Sequence, residues 1–124
     1  MEHKNYIGGK WTRSNSGETF NSLNPATEKS IGKFQSGNEH DVRNAIESGE
    51  SSFDKWSSVP PPKRALILYK TLELLKKNKE RLAKMEVIEM GKVLAEARGD
   101  VQEAIDVTEY MAGEGRRLFG HTTT

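Results

Sequence analysis

Cysteine is absent from the 124 residues. With it go disulfides, thiolate metal sites and any cysteine nucleophile. A charge excess is lacking too: 19 Lys and Arg stand against 18 Asp and Glu, a formal net charge of +1, whereas a nucleic-acid binder shows a clear basic surplus on one face. No apolar run approaches the roughly 18 residues that cross a bilayer. The opening stretch "MEHKNYIGGKW" has no apolar segment of signal-peptide length. The expectation is a soluble, cytoplasmic protein that engages neither nucleic acid nor membrane. Hydrophobic residues make up only 34% and charged residues 30%. That is too apolar for disorder and polar for a self-contained globule, as expected of a chain that packs on something larger.

What is present is an ordered change of pattern. Residues 1–36 read as strands and turns. Gly8-Gly9 sits between the β-prone pairs Tyr6-Ile7 and Lys10-Trp11, a hairpin signal because primed turns need positive φ. Asn15-Ser16-Gly17 and Asn24-Pro25-Ala26-Thr27 are further turns. Thr19-Phe20 and Ile31–Phe34 are predicted strands. From Asn38, a predicted N-cap with Asp41 in the first turn, the period becomes helical. Residues 37–124 form the helical segment. Val42, Ala45, Ile46, Gly49, Phe53 and Trp56 make one apolar stripe. A second helix starts near Pro61 or Pro62. Its stripe runs through Ala65, Leu68, Leu72 and Leu75, is interrupted or bent at Lys76–Lys79, and resumes with Leu82, Met85 and Ile88. A third helix spans about Leu94 to Leu118, with Ala97, Val101, Ala104, Ile105, Thr108, Met111 and Ala112 on a face and Gly120 as its stop. His121–Thr124 read as the first steps of a strand.

Candidate chemistry is sparse. Met90-Gly91-Lys92 looks like the tail of a phosphate loop, but G-x-x-x-x-G-K-[ST] needs Gly where Glu86 stands and Ser or Thr where Val93 stands. Gly91 reads instead as a left-handed helix stop, with Lys92 complementing the negative helix end. His3, His40 and His121 have no metal-ligand spacing. Glu86 and Glu89, like Glu96 and Asp100, sit about one helical turn apart, as solvated faces commonly do. Gly113-Glu114-Gly115 does not complete G-x-G-x-x-G. The basic run Lys76, Lys77, Lys79, Arg81 and Lys84 is interleaved with Glu73, Glu80 and Glu86 at salt-bridging distances, which marks a solvated face. Trp11 and Trp56 read as packing residues.

Five stretches, in order, resemble the N-terminal part of NAD(P)-dependent aldehyde dehydrogenases: "YIGGKW", "NPATEKSIGKF", "FDKWSSVPPPKRALILYK", "EMGKVLAEARGDV" and "EYMAGEGRRLFG". The resemblance runs from about Asn5 to Gly120. It implies an α/β, aldehyde dehydrogenase-like fold present as a fragment, with N-terminal β hairpins followed by three mainly α-helical segments. The strands would belong to the small β region used in subunit assembly. The helices would pack on the Rossmann-like coenzyme domain. It implies a reaction in which a cysteine thiolate attacks the aldehyde, hydride passes to NAD or NADP, and a glutamate-activated water releases the acid.

Members of the family are several times longer, and their reactive cysteine, general base and coenzyme loops fall beyond this stretch. No catalytic or coenzyme-binding residue is therefore carried over, and no cofactor is expected in this chain. The expectation is a truncated, inactive aldehyde dehydrogenase that associates with itself or with other aldehyde dehydrogenase subunits. The third helix borders the substrate entrance in such enzymes, which points to Gly99, Glu103 and Val107. Packing for Val107 and solvation for Glu103 fit these residues as well. The competing reading is a small self-associating helical interaction module without enzymatic activity.

Overall fold

A computed structural model describes residues 2–117, 119 and 120. Five strands precede three helices among them: β1 (Glu2–His3), β2 (Asn5–Ile7), β3 (Lys10–Thr12), β4 (Thr19–Leu23), β5 (Ser30–Gln35), α1 (Glu39–Ser57), α2 (Pro61–Met90) and α3 (Leu94–Glu114). They divide into two compact units, Met1–Ser58 with Ile88–Gly91, and Val59–Val87 with Lys92–Thr124.

In the first unit Gly8 and Gly9 both take positive φ, 59° and 77°. The turn they make pairs β2 with β3 antiparallel, Tyr6 opposite Trp11. A second sheet has the order β1-β5-β4. β1 runs parallel to β5, and β4 antiparallel to it with an irregularity at Ser22/Leu23. Phe34 on β5 is the central ring, with His3 stacked at 4.5 Å on one side and Phe20 at 6.0 Å on the other. Cross-strand ring pairs of this kind hold register. Asn38 caps α1 in a full capping box with Asp41. The last turn of α2 also belongs to this unit. Gly91, at φ 72°, ends it. A Cβ on Gly91 would stand 2.9 Å from Pro25 Cγ and 3.0 Å from Ala26 N.

In the second unit α2 and α3 lie antiparallel, as the pairing of Glu80 with Arg98 and of Lys76 with Glu109 requires. Leu72, Ala83, Ala97, Val101 and Ile105 form the buried core, flanked by Leu75, Leu82, Val87 and Leu94. The alanines, fully buried at the seam, let the two helices close on one another.

Several expectations change here. α2 runs its 30 residues unbroken through Lys76–Lys79. Lysine is a good helix former, and that stretch is held along α3 by Lys76 to Glu109 and Lys79 to Gln102. The buried line of α2 passes through Ala83 and Val87, leaving Met85 and Ile88 about half exposed. α3 stops at Glu114, short of Leu118 and Gly120. Just past that end Gly115 lies so close to the start of α2 that a Cβ there would stand 2.5 Å from Ala65 Cβ. Ala104 and Met111 face solvent. Trp11 is 68% exposed although it packs on Tyr6 at 5.0 Å. The strand expected at His121–Thr124, and Leu118, lie outside the described residues.

Candidate functional site

Ser14, in the loop after β3, is buried, and so are Gln35 and Asp41. The Ser14 amide donates to Gln35 Oε1 at 2.8 Å. Its hydroxyl donates to Asp41 Oδ2 at 2.6 Å. Asp41 also accepts from the amides of Asn38, 3.0 Å, and Asn15, 2.9 Å. The Ser14 hydroxyl, and then the Asn38 and Asn15 amides, hold the Asp41 carboxyl below the usual carboxylate range. Gln35 passes the chain on to Glu2 Oε1 and the His3 carbonyl. One carboxylate thus ties the loop, the sheet and the start of α1 together. Asn38 and Asp41 were legible as a cap. Ser14, 27 residues from Asp41, and Gln35, 21 residues from the Ser14 amide it accepts from, were not, because no local pattern joins them. The concavity beside the knot, about 190 Å³, is lined by Ile7, Thr12, Arg13, Asn15, His40, Asp41 and Asn44 and holds no nucleophile–base pair.

Lys92 follows the Gly91 stop. Its ammonium bonds to Asp100 and, at 3.2 Å, to Glu86. Asp100 and then Glu86 raise the Lys92 pKa, and Lys92 lowers that of Asp100. Glu86 and Asp100, expected in solvated pairs with Glu89 and Glu96 respectively, share one cation, and Lys92 is an ion-pair hub between α2 and α3. The raised Lys92 and lowered Asp100 stay in their charged forms, so neither a Lys92 base nor an Asp100 acid is on hand at neutral pH.

The three positions expected at a substrate entrance, Gly99, Glu103 and Val107, sit four residues apart on α3 and are all exposed. Nothing lies within 4 Å of a Cβ placed on Gly99. Gly113-Glu114-Gly115 falls at the C-terminal end of α3, which presents carbonyls and the negative end of the helix dipole. A dinucleotide pyrophosphate needs the N-terminal end of a helix after a strand. These glycines do not fit one. Among the described residues no group of three His, Cys, Asp or Glu could hold a metal ion, and no helix is long and apolar enough to cross a membrane.

The sequence model of the aldehyde dehydrogenase family matches residues 11–124. The chain belongs to the aldehyde dehydrogenase family. It is 42% identical over 117 residues to malonate-semialdehyde dehydrogenase 1 of Shouchella clausii, covering 94% of this chain and 24% of that relative. Its fold matches succinate-semialdehyde dehydrogenase from Burkholderia pseudomallei with a TM-score of 0.91 at 34% identity, over 98% of this chain and 25% of the other. An NAD-dependent aldehyde dehydrogenase from Sinorhizobium meliloti gives 0.90 at 28% identity, over 99% and 25%. The chain therefore spans about a quarter of the aldehyde dehydrogenases it matches, as their N-terminal portion. Two of the stretches that carried the resemblance meet in space: the Asn24–Thr27 turn lies against the Gly91 helix stop. Gly91 is demanded twice, by its φ and by Pro25.

Proposed function

We propose that this chain is the N-terminal portion of an enzyme that oxidises an aldehyde to a carboxylic acid with NAD or NADP, and that the 124 residues by themselves do not turn over. The observation that carries the reading is the pairing of a family match along nearly the whole chain with the lack of any cysteine. The resemblance implies a nucleophile and a coenzyme seat outside this stretch, and the chain spans 24% of malonate-semialdehyde dehydrogenase 1. In that larger enzyme residues 1–36 are the strand/turn segment, and residues 37–124 are the helical segment that packs on the coenzyme-binding domain. Gly99, Glu103 and Val107 border the substrate entrance, for which their exposure on one face of α3 is suited. The expected setting is cytoplasmic, and the expected partners are other aldehyde dehydrogenase subunits or a second copy.

The test mixes purified chain with an aldehyde series and NAD or NADP and follows reduced coenzyme by absorbance. No rate above the blank is expected; turnover would overturn the reading. A second reading, a helical interaction module without activity, is favoured by one feature. Val42, Ile46 and Phe53 on α1 are 56%, 56% and 64% exposed, an apolar stripe of the kind that seeks a partner.

A further inference from the structure

The near-neutral charge of the chain hides a strong segregation between two helices. α2 carries eight basic and four acidic side chains, and α3 six acidic and one basic. Part of this difference is spent within the pair, through Arg98 to Glu80 and Lys76 to Glu109 along the flanks of the seam. Lys79 also reaches Gln102 across the pair and Asp100 is taken by Lys92, while a further set lies on the outer arcs. On the outer arc of α2, opposite Leu72 and Ala83, Lys63, Lys70, Lys77 and Lys84 recur every seven residues, and all are exposed. Ile67 and Leu74, also exposed, run between them at the same interval. No acidic side chain falls among Lys63, Lys70 and Lys77 on this arc, and Lys84 at the end of the line pairs with Glu80 at 3.8 Å. On the outer arc of α3, opposite Ala97 and Ile105, stand Glu96, Glu103 and Asp106, with exposed Tyr110 beside them and no basic residue. Among the described residues Lys63, Lys70, Lys77, Glu96 and Glu103 make no ion pair. Seven residues advance a helix by about 10.5 Å, so the lysine line and the Glu96–Glu103–Tyr110 line share one repeat and match in step.

We propose that the basic outer arc of α2 is a docking surface for the acidic outer arc of α3 of a second copy of this chain. The apolar residues form a narrow seam and the charges set partner and register, as the flanking positions of a coiled coil do. The two arcs face opposite ways from one seam. The contact is therefore heterologous: each copy keeps an unused basic arc at one side and an unused acidic arc at the other. Growth is a concentration-dependent ladder and does not stop at a two-fold dimer. The inference does not rest on the enzymatic reading, and its failure leaves that reading intact.

Sedimentation equilibrium of the chain tests it. Between about 0.01 M and about 1 M salt the screening length falls from ~30 Å to ~3 Å, and the weight-average mass is expected to fall toward that of the monomer, with association weakened roughly tenfold or more. Two near-isosteric triple variants dissect the faces: Lys63→Gln, Lys70→Gln, Lys77→Gln, and Glu96→Gln, Glu103→Gln, Asp106→Asn. Each is expected to be monomeric alone. Mixed, they should form a one-to-one pair that grows no further, because each retains one competent arc. That recovery also shows that both variants are folded. A chain that is monomeric at low salt, or that associates equally at both salts, overturns the proposal. So do variants that assemble like the parent, or that fail to pair when mixed. A monomer that instead co-sediments with vesicles of anionic phospholipid overturns it and gives the α2 arc to a lipid surface.

Discussion

Helix α1 and the α2–α3 hairpin carry the same kind of signal in sequence and end in different states. α1 has the sharpest separation of apolar from polar faces of the three helices, yet its sole buried residue is Asp41. α2 and α3 have blurred patterns, with apolar residues on several faces, and they supply the core. Amphipathicity says that a face needs covering; it does not say by what. α2 and α3 find each other because a tight turn at Gly91-Lys92 returns the chain antiparallel and Ala83 and Ala97 let the backbones close. α1 leaves Val42, Ile46 and Phe53 more than half exposed, and its one buried residue, Asp41, is held by the polar Ser14–Asp41 knot.

The largest test of this contrast strikes the hairpin seam. Ile105→Ala or Leu72→Ala should destabilise by about 2–5 kcal/mol, read from urea unfolding, since both side chains are almost wholly buried. A loss below about 1 kcal/mol would mean the seam is not the stabilising region. Next is Gly91→Ala, which forces an L residue into the left-handed region and drives its Cβ against Pro25. The expected loss is about 1–3 kcal/mol, and an unchanged midpoint would remove the packed turn from the account.

Acid gives an intermediate effect with a defined sign. The Asp41 pKa is lowered by folding, so its contribution is present above the unfolded value of about 4 and is lost as pH falls through the lower folded value. Glu80 and Asp100, also lowered by their cations, add to the same acid loss. Asp41→Asn should lower stability at neutral pH, because its amide NH2 opposes donors already in place. It should also flatten the acid slope relative to the parent. Identical slopes would show that the carboxylate is not the anchor. The smallest effect is expected at α1. Val42→Ser, Ile46→Ser and Phe53→Ser should each fall within about 0.5 kcal/mol of the parent. A drop of several times that would show the stripe to be covered in the chain as it stands, and the comparison with the hairpin would fail.

How much of this was readable from residues alone varies from place to place. The glycine hairpin, the Asn38 cap with Asp41, the proline start of α2 and the Gly91 stop were all legible, because each depends on backbone chemistry within a few residues. The charge segregation between α2 and α3 is also present in the sequence, but its meaning depends on which charges the seam consumes. Burial on α2 was misjudged at Met85 and Ala83, one face apart, because a helix apolar on several sides does not name its inner one. The end of α3 was misplaced because Gly115, unlike Gly91, stops nothing by its own φ of −56°; it is needed small where it passes Ala65. The proposed entrance positions Gly99, Glu103 and Val107 came from resemblance, and their shared exposed face is what the helix period adds.

The sequence by itself determined the order of β2 to β5 and the three helices, the Gly8-Gly9 turn, the Asn38 cap and the Gly91 stop, the lack of any cysteine, and the membership in the aldehyde dehydrogenase family. These follow from short-range preferences and from a residue that is either in the chain or not. Only the tertiary structure decided which apolar faces pair, that Ser14 and Gln35 complete the Asp41 knot, that Lys92 joins Glu86 to Asp100, and that the charges left over form two opposed arcs. Each of those depends on groups distant in sequence arriving at hydrogen-bonding or packing distance, and no local pattern encodes a distance.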